Sequence, residues 1–211
     1  MKWKHAIFIV AAAGHTFAFA ADHSSGVHTG VQREWFRTSR GNLGVLRGSQ
    51  GLMSIPLAGK LQFGVLFGSA RSTTRFSGVI EQADISVDET LPEPIRSKNR
   101  LTTLQFVIAY PVLERERITV WARAGLGPEF TSTTQVGQET GMTGNIRQAQ
   151  LGLYARVDGE VDASPYMPFI LAIGFGYRQV GFMNRPITDG ADPFRAPFHG
   201  TEFRIGFAYV L

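Results

Sequence analysis

The chain closes on FRIGFAYVL, Phe203 to Leu211, and the fold turns on how that stretch is read. Phe203, Ile205, Phe207, Tyr209 and Leu211 alternate with Arg204, Gly206 and Ala208, with Glu202 just upstream. Side chains alternate across a β-strand, so this one has an oily face and a polar or small face. Terminal residues are poorly ordered unless something ties them down. The stretch therefore reads as a paired strand.

The same period of two recurs upstream. In LQFGVLFGSAR, Leu61, Phe63, Val65 and Phe67 oppose Gln62, Gly64, Gly68 and Ala70; in LTTLQFVIAY, Leu104, Phe106, Ile108 and Tyr110 oppose Thr103, Gln105 and Ala109. ITVWARAGLGPEF sets Ile118, Val120, Ala122, Ala124, Leu126 and Phe130 against Thr119, Arg123, Gly125, Gly127 and Glu129. RQAQLGLYARV sets Leu151, Leu153 and Val157 against Gln148, Gln150, Gly152, Tyr154 and Arg156, and FILAIGFGYR sets Phe169, Leu171, Ile173, Phe175 and Tyr177 against Ala172, Gly174, Gly176 and Arg178. Such alternation suits either a soluble sandwich with apolar faces inward or a membrane barrel with them outward. The polar faces decide for the barrel, because they are mostly Gly and Ala with single Arg, Glu or Gln, as a narrow lumen requires.

Connections give a second reason. Between these segments they run long (Ser77 to Asn99), short (Pro111 to Arg117), long (Thr131 to Asn145), short (Asp158 to Pro165) and long (Met183 to Pro197). Outer-membrane barrels pair long external loops with short periplasmic turns. Tyr110, Tyr166 and Tyr209 fall on the short-turn side, where amphipathic rings suit a headgroup boundary, and Phe130, Phe182 and Phe198 form a weaker girdle opposite.

The N-terminus agrees with export. MKWKHAIFIVAAAGHTFAFAAD has a basic start, an apolar run too short to span a bilayer, and an Ala18-Phe19-Ala20 cleavage site, which is the layout of a secretory signal peptide. Removing residues 1–20 leaves 19 basic against 17 acidic residues, so the basic balance argues for no nucleic-acid partner. The 211 residues include 24 Gly and 16 Phe but no Cys, so the chain is not a disulfide scaffold.

Residues 204 to 211, RIGFAYVL, resemble the C-terminal β-signal of bacterial outer-membrane β-barrel proteins, with a polar residue, Gly two places on, an aromatic and a final apolar residue, here Leu where the family most often has Phe. The resemblance implies that Arg204, Gly206, Tyr209 and Leu211 form an assembly signal for the barrel-assembly machinery, and that this strand closes the barrel against the first. A second stretch, Gly51-Leu52-Met53-Ser54-Ile55-Pro56-Leu57-Ala58, resembles the G-L-x-x-P-x-A segment before the first strand in some barrels of myxobacterial-type and exopolysaccharide-associated families.

The expected fold is all-β: a small antiparallel up-and-down transmembrane β-barrel, with six strands clearly read and eight the expected total, since single-chain barrels begin at eight. The missing pair is expected as a hairpin in residues 30 to 56 around Arg40-Gly41-Asn42, or else within Ser77 to Asn99. The division is residues 1–20 signal peptide, 21–41 periplasmic segment and 42–211 barrel. The chain is expected as a monomer in the outer membrane of a Gram-negative bacterium, with outer-membrane lipid and lipopolysaccharide around it.

Eight strands enclose just enough room for side chains. Arg123, Glu129, Gln148, Gln150, Arg156, Arg178, Glu202 and Arg204 are expected to fill it as a paired polar network, with arginines in excess. That plugged lumen points to a structural or surface-interaction role without catalysis or cofactor. The alternatives are a narrow pore or ligand-binding barrel, and a lipid-modifying enzyme using His199 and Thr201, which parity sets on the lipid side with Glu202 turned inward. Other histidines leave with the signal or sit in the polar N-terminal segment, as His23 and His28 do. The acidic run Glu81, Asp84, Asp88, Glu89 and Glu93 reads as a solvated loop, with surface divalent-cation binding as its functional alternative.

Overall fold

A computed structural model describes residues 26–39, 43–78, 93–164, 167–181 and 198–210. It contains eight antiparallel strands: β1 (His28–Thr38), β2 (Val45–Ala58), β3 (Leu61–Gly78), β4 (Glu93–Arg115), β5 (Ile118–Gly137), β6 (Thr143–Ser164), β7 (Met167–Val180) and β8 (Phe198–Val210). Each pairs with its sequence neighbours, and β8 pairs back with β1 from His28↔Val210 to Thr38↔Gly200. Closure leaves no unpaired edge across the spanning part of the sheet, which is what hydrocarbon demands; above it, β3 past Arg71 and β6 before Gly152 extend beyond their β2 and β7 neighbours.

The alternating pattern sets the two surfaces. Phe67, Phe106, Phe175 and Phe207 point outward and are 56 to 65 % exposed, while the neighbouring Leu66, Gln105, Gly174 and Gly206 are buried inside. An apolar surface of this extent, wrapped round every strand, is far beyond what a water-soluble monomer exposes. The barrel is thus inverted relative to a soluble protein and belongs in a bilayer.

The chain turns sharply at one end, with Gly59 and Lys60 joining β2 to β3 and Glu116 and Arg117 joining β4 to β5. Gly59 has φ 57°, a left-handed geometry that glycine adopts without steric cost. Lys60 and Glu114 pair across two of these turns. At the other end residues 138–142 join β5 to β6.

Several sequence expectations change. Residues 21–41 do not form a separate periplasmic segment, because His28 to Thr38 make up β1 and the barrel begins well before residue 42. The missing pair is the N-terminal hairpin, β1 and β2, paired from His28↔Ser54 to Arg37↔Val45. The G-L-x-x-P-x-A stretch accordingly lies inside the second strand and does not precede the first; its proline sits at an irregularity between Pro56 and Ala58, where a missing N–H is tolerated.

Two expected connections are mostly strand. β5 continues to Gly137 and β6 begins at Thr143, so the Thr131 to Asn145 connection shrinks to residues 138–142. β6 likewise runs through Asp158, Glu160 and Asp162 to Ser164, and β7 begins at Met167. β4 begins at Glu93, which narrows the Ser77 to Asn99 connection to residues 79–92. The signal peptide, Tyr166, Phe182, Leu211, the acids from Glu81 to Glu89 and the Asp189 to Pro193 stretch lie outside the described residues.

Candidate functional site

The barrel interior is the candidate site, and charge organises it in layers. At the short-turn end, Arg123 of β5 donates from Nη1 to Asp158 Oδ2 at 2.5 Å and from Nη2 to Glu160 Oε1 at 2.7 Å. Trp121 Nε1 donates to Glu160 Oε2 at 2.8 Å, and His28 Nδ1 lies 3.6 Å from that oxygen with its ring edge-on to Trp121. Arg156 Nε reaches Asp158 Oδ2 at 2.8 Å. One carboxylate thus serves two guanidinium groups.

Arg178 of β7 crosses the middle of the lumen. Its Nη2 lies 3.0 Å from Glu34 Oε1 of β1, its Nε 3.0 Å from Glu202 Oε2 of β8, and its Nη1 3.9 Å from Glu129 Oε1 of β5. Nη1 also donates to Thr103 Oγ1 of β4 at 3.3 Å. Arg204 Nη2 donates to Glu202 Oε1 at 2.7 Å, and Gln105 Nε2 to Glu129 Oε1 at 2.6 Å. Tyr154 receives Arg156 on its ring at 5.2 Å and Arg204 at 5.6 Å, a cation–π arrangement worth most where water is excluded.

Glycines opposite these groups are sockets. A Cβ on Gly125 would fall 2.1 Å from the Tyr154 ring, and one on Gly174 would fall 2.0 Å from Asp158 Oδ1. The small inward residues read from the sequence thus make room for the large charged ones on the adjoining strand.

Nearer the loop end the interior changes character. Phe36, Leu43, Leu46, Ala70, Leu101 and Val180 form one buried apolar cluster, and the Phe36 ring lies 5.4 Å from the Arg178 guanidinium. The sequence reading predicts a lumen filled only by polar residues. The structure has instead a charged middle under an apolar seal, and above the seal a polar layer in which Thr133 Oγ1 donates to Asn99 Oδ1 at 3.2 Å.

All eight residues expected to line the lumen point inward, with Arg123, Glu129, Gln150, Arg156, Arg178, Glu202 and Arg204 buried and Gln148 half-buried. Gln150 Nε2 donates to Gln148 Oε1 at 2.7 Å, and Gln150 lies opposite Glu129 on β5. The expected arginine excess is corrected. Among the described residues four buried arginines meet Glu34, Glu129, Asp158, Glu160 and Glu202, so every one of these arginines has a carboxylate in reach. Sequence reading misses Glu34, Asp158, Glu160, Trp121 and His28, and the last begins β1 instead of lying in a polar leader.

His199 lies on the outer face, exposed, and stacks on Tyr177 with ring centroids 5.7 Å apart. Thr201 shares its face while Glu202 is buried inside, so the carboxylate beside this pair in sequence faces the opposite side of the sheet. Among the described residues no carboxylate pairs with His199 and no cluster of metal-ligating groups occurs.

Glu93, at the loop end of β4 and outside the membrane span, ties down the β5–β6 tip. It accepts from Thr140 Oγ1 at 2.6 Å, Thr140 N at 3.0 Å and Glu139 N at 2.9 Å. The Thr140 hydroxyl, followed by these amides, holds its pKa below the ordinary 4.5. A depressed carboxylate contributes stability above its ordinary pKa and loses it as pH falls through the folded value. The amides of Glu139 and Thr140 are expected to lose hydrogen-exchange protection in acid in the wild type, and to show weaker, pH-independent protection in Glu93→Gln. Unchanged protection across that range would remove Glu93 as the clamp.

Lumen, seal and outward apolar wall define a closed, side-chain-filled transmembrane β-barrel of the outer-membrane type. In fold it is similar to a major outer membrane protein from Thermus thermophilus, at TM-score 0.52 and 15 % identity over 88 % of this chain and 99 % of that one. Neisserial surface protein A gives TM-score 0.49 and 13 % identity over 88 % and 96 % of the two chains. The attachment invasion locus protein Ail of Yersinia pestis, solved with the heparin analogue sucrose octasulfate, gives 0.48 and 10 % over 88 % and 97 %. No family model matches the sequence, and neither does any curated protein.

Proposed function

We propose that this chain is a monomeric outer-membrane barrel of a Gram-negative bacterium whose role is structural or interactive at the cell surface, with no catalytic or conducting function. The observation that carries this reading is the Arg178 hub, which joins β7 to Glu34, Glu129 and Glu202 on three other strands beneath the apolar cluster. Buried charges paired across so narrow a lumen oppose the passage of an ion.

The upper portions of β3 to β6 support the interactive part. β4 and β5 run 23 and 20 residues, well beyond the roughly 9 to 11 that cross a bilayer, and so present a sheet wall outside the membrane. Lipid and lipopolysaccharide are the lateral neighbours in this reading, and the terminal sequence carrying Arg204, Gly206, Tyr209 and Leu211 is what the assembly machinery receives.

Planar-bilayer recording of the purified protein tests the lumen. No discrete open level is expected, and a reproducible one would replace this reading with the narrow-pore alternative.

A further inference from the structure

The outward face of the extramembrane strands carries an arginine row that the fold itself does not use. Cross-strand register sets Arg47 of β2 opposite Arg71 of β3, Arg71 opposite Arg100 of β4, Arg100 opposite Ser132 of β5, and Ser132 opposite Arg147 of β6. All four arginines are exposed. Higher up, Arg75 faces Arg96. Neighbouring strands are about 4.8 Å apart, and like charges directly opposite are destabilising.

Nothing in the described protein offsets that repulsion. None of Arg47, Arg71, Arg100 and Arg147 has an ion-pair partner among the described residues; Arg100 Nε donates only to Ser69 Oγ, at 3.4 Å. The carboxylates of these strands at this height, such as Glu93, face inward. The row stops at β7 and β8, which present Tyr177, Gln179, His199 and Thr201 on the same surface, while β1 adds exposed Arg33 and Arg37 beside it. An exterior built for solubility alone would intersperse both signs.

Position identifies the missing anion. Arg71, Arg100 and Arg147 each stand four residues above the last large apolar outward side chain of their strand, Phe67, Leu104 and Leu151. That is about 13 Å along the strand, and less in height because barrel strands tilt. Arginine side chains hanging from there reach the headgroup layer. Between β4 and β6 the row borders an open groove of ≈ 640 Å³, in which Phe130 and Ala149 lie among Thr102, Thr131, Ser132 and Gln148 below Arg100 and Arg147. The guanidinium fork matches phosphate bidentately, as an ammonium does not.

We infer that Arg47, Arg71, Arg100 and Arg147 form a lateral binding site for a phosphate-bearing glycolipid of the outer leaflet, with phosphates on the arginines and an acyl chain in the Phe130–Ala149 groove. The site rests on the outer-membrane reading above and adds to its lateral lipopolysaccharide the residues that hold it and a side of the barrel. Selection of this lipid makes the bilayer around the barrel asymmetric, with anionic glycolipid held against β2 to β6.

Native mass spectrometry of the detergent-solubilised barrel with bisphosphorylated lipid A, or with its dephosphorylated form, tests it. The phosphorylated lipid is expected to bind at least tenfold more tightly, and Arg71→Gln/Arg100→Gln/Arg147→Gln to abolish that preference, while Arg115→Gln at the opposite rim retains it. Equal affinity for the two lipids, or an unaffected triple variant, overturns the site. Displacement by equimolar inorganic phosphate, an arginine-dependent second copy in place of lipid, or preference for a sulfated polysaccharide would each overturn it too. Heat-modifiable gel migration reads the barrel separately: a variant that migrates as a barrel yet shows no lipid preference where the wild type also shows none sinks only the site, whereas a wild type that never shows the shift sinks the outer-membrane reading.

Discussion

Replacing Arg178 with leucine is expected to cost about 3 to 5 kcal/mol, the usual penalty for removing one partner of a buried ion pair. The guanidinium is fully buried and lies within 3.0 Å of both Glu34 and Glu202. Glu202 keeps Arg204 at 2.7 Å and Glu129 keeps the amide of Gln105 at 2.6 Å, so the orphan is Glu34. The loss should appear in urea unfolding of the vesicle-reconstituted protein as a lower midpoint with little change in slope. Adding Glu34→Leu should restore a large part of it, because an apolar pair of similar volume replaces a buried charge with none beside it. A single-variant loss below about 1 kcal/mol would mean that water reaches the hub and that its charges are solvated where they stand.

Gly206→Val should prevent closure. Its Cβ would lie 2.3 Å from the Val31 carbonyl oxygen and 2.5 Å from Gln32 Cα, both backbone atoms of β1 across the β1–β8 seam. Backbone cannot yield as a side-chain tip can, so the strands must separate at the junction made last if β8 closes the barrel. The expected result is loss of the heat-modifiable form on unboiled gels and cleavage by added protease. Gly159→Ala is the comparison: the nearest approach of its Cβ would be the Ile173 carbonyl at 3.9 Å, ordinary van der Waals contact, and its migration should match wild type. If Gly206→Val also folds, the glycine matters to whatever recognises the terminal strand and not to the packing of the seam.

What is legible in the sequence follows from where lipid lies. Within the membrane one face must be apolar, so Phe63, Phe106, Leu153 and Phe207 announce strand parity, and the inward direction of Arg123, Arg156 and Arg178 follows at once. Above the membrane the outward face meets water and the inward face is a hydrogen-bonded polar layer that includes Ser97, Asn99, Thr131 and Thr133. Thr131 to Gly137 and Thr143 to Gln148 are then polar on both sides, which is how a loop reads, and the extended β5–β6 hairpin is hidden by that likeness. Asp158-Gly159 likewise has the composition of a turn, which conceals the carboxylates that balance Arg123 and Arg156. The apolar seal escapes for a different reason. Phe36, Leu46, Leu101 and Val180 each lie on a separate strand among inward residues that are mostly small or polar, and only the closed register brings them together.

That seal sets how hard the tube would be to open. Clearing the charges below would still leave an oily stopper above, and removing the stopper would expose a lattice of locked ions. Any route to a water-filled channel needs lesions in both tiers at once, so single substitutions drawn at random should leave the protein electrically silent while eroding its resistance to unfolding.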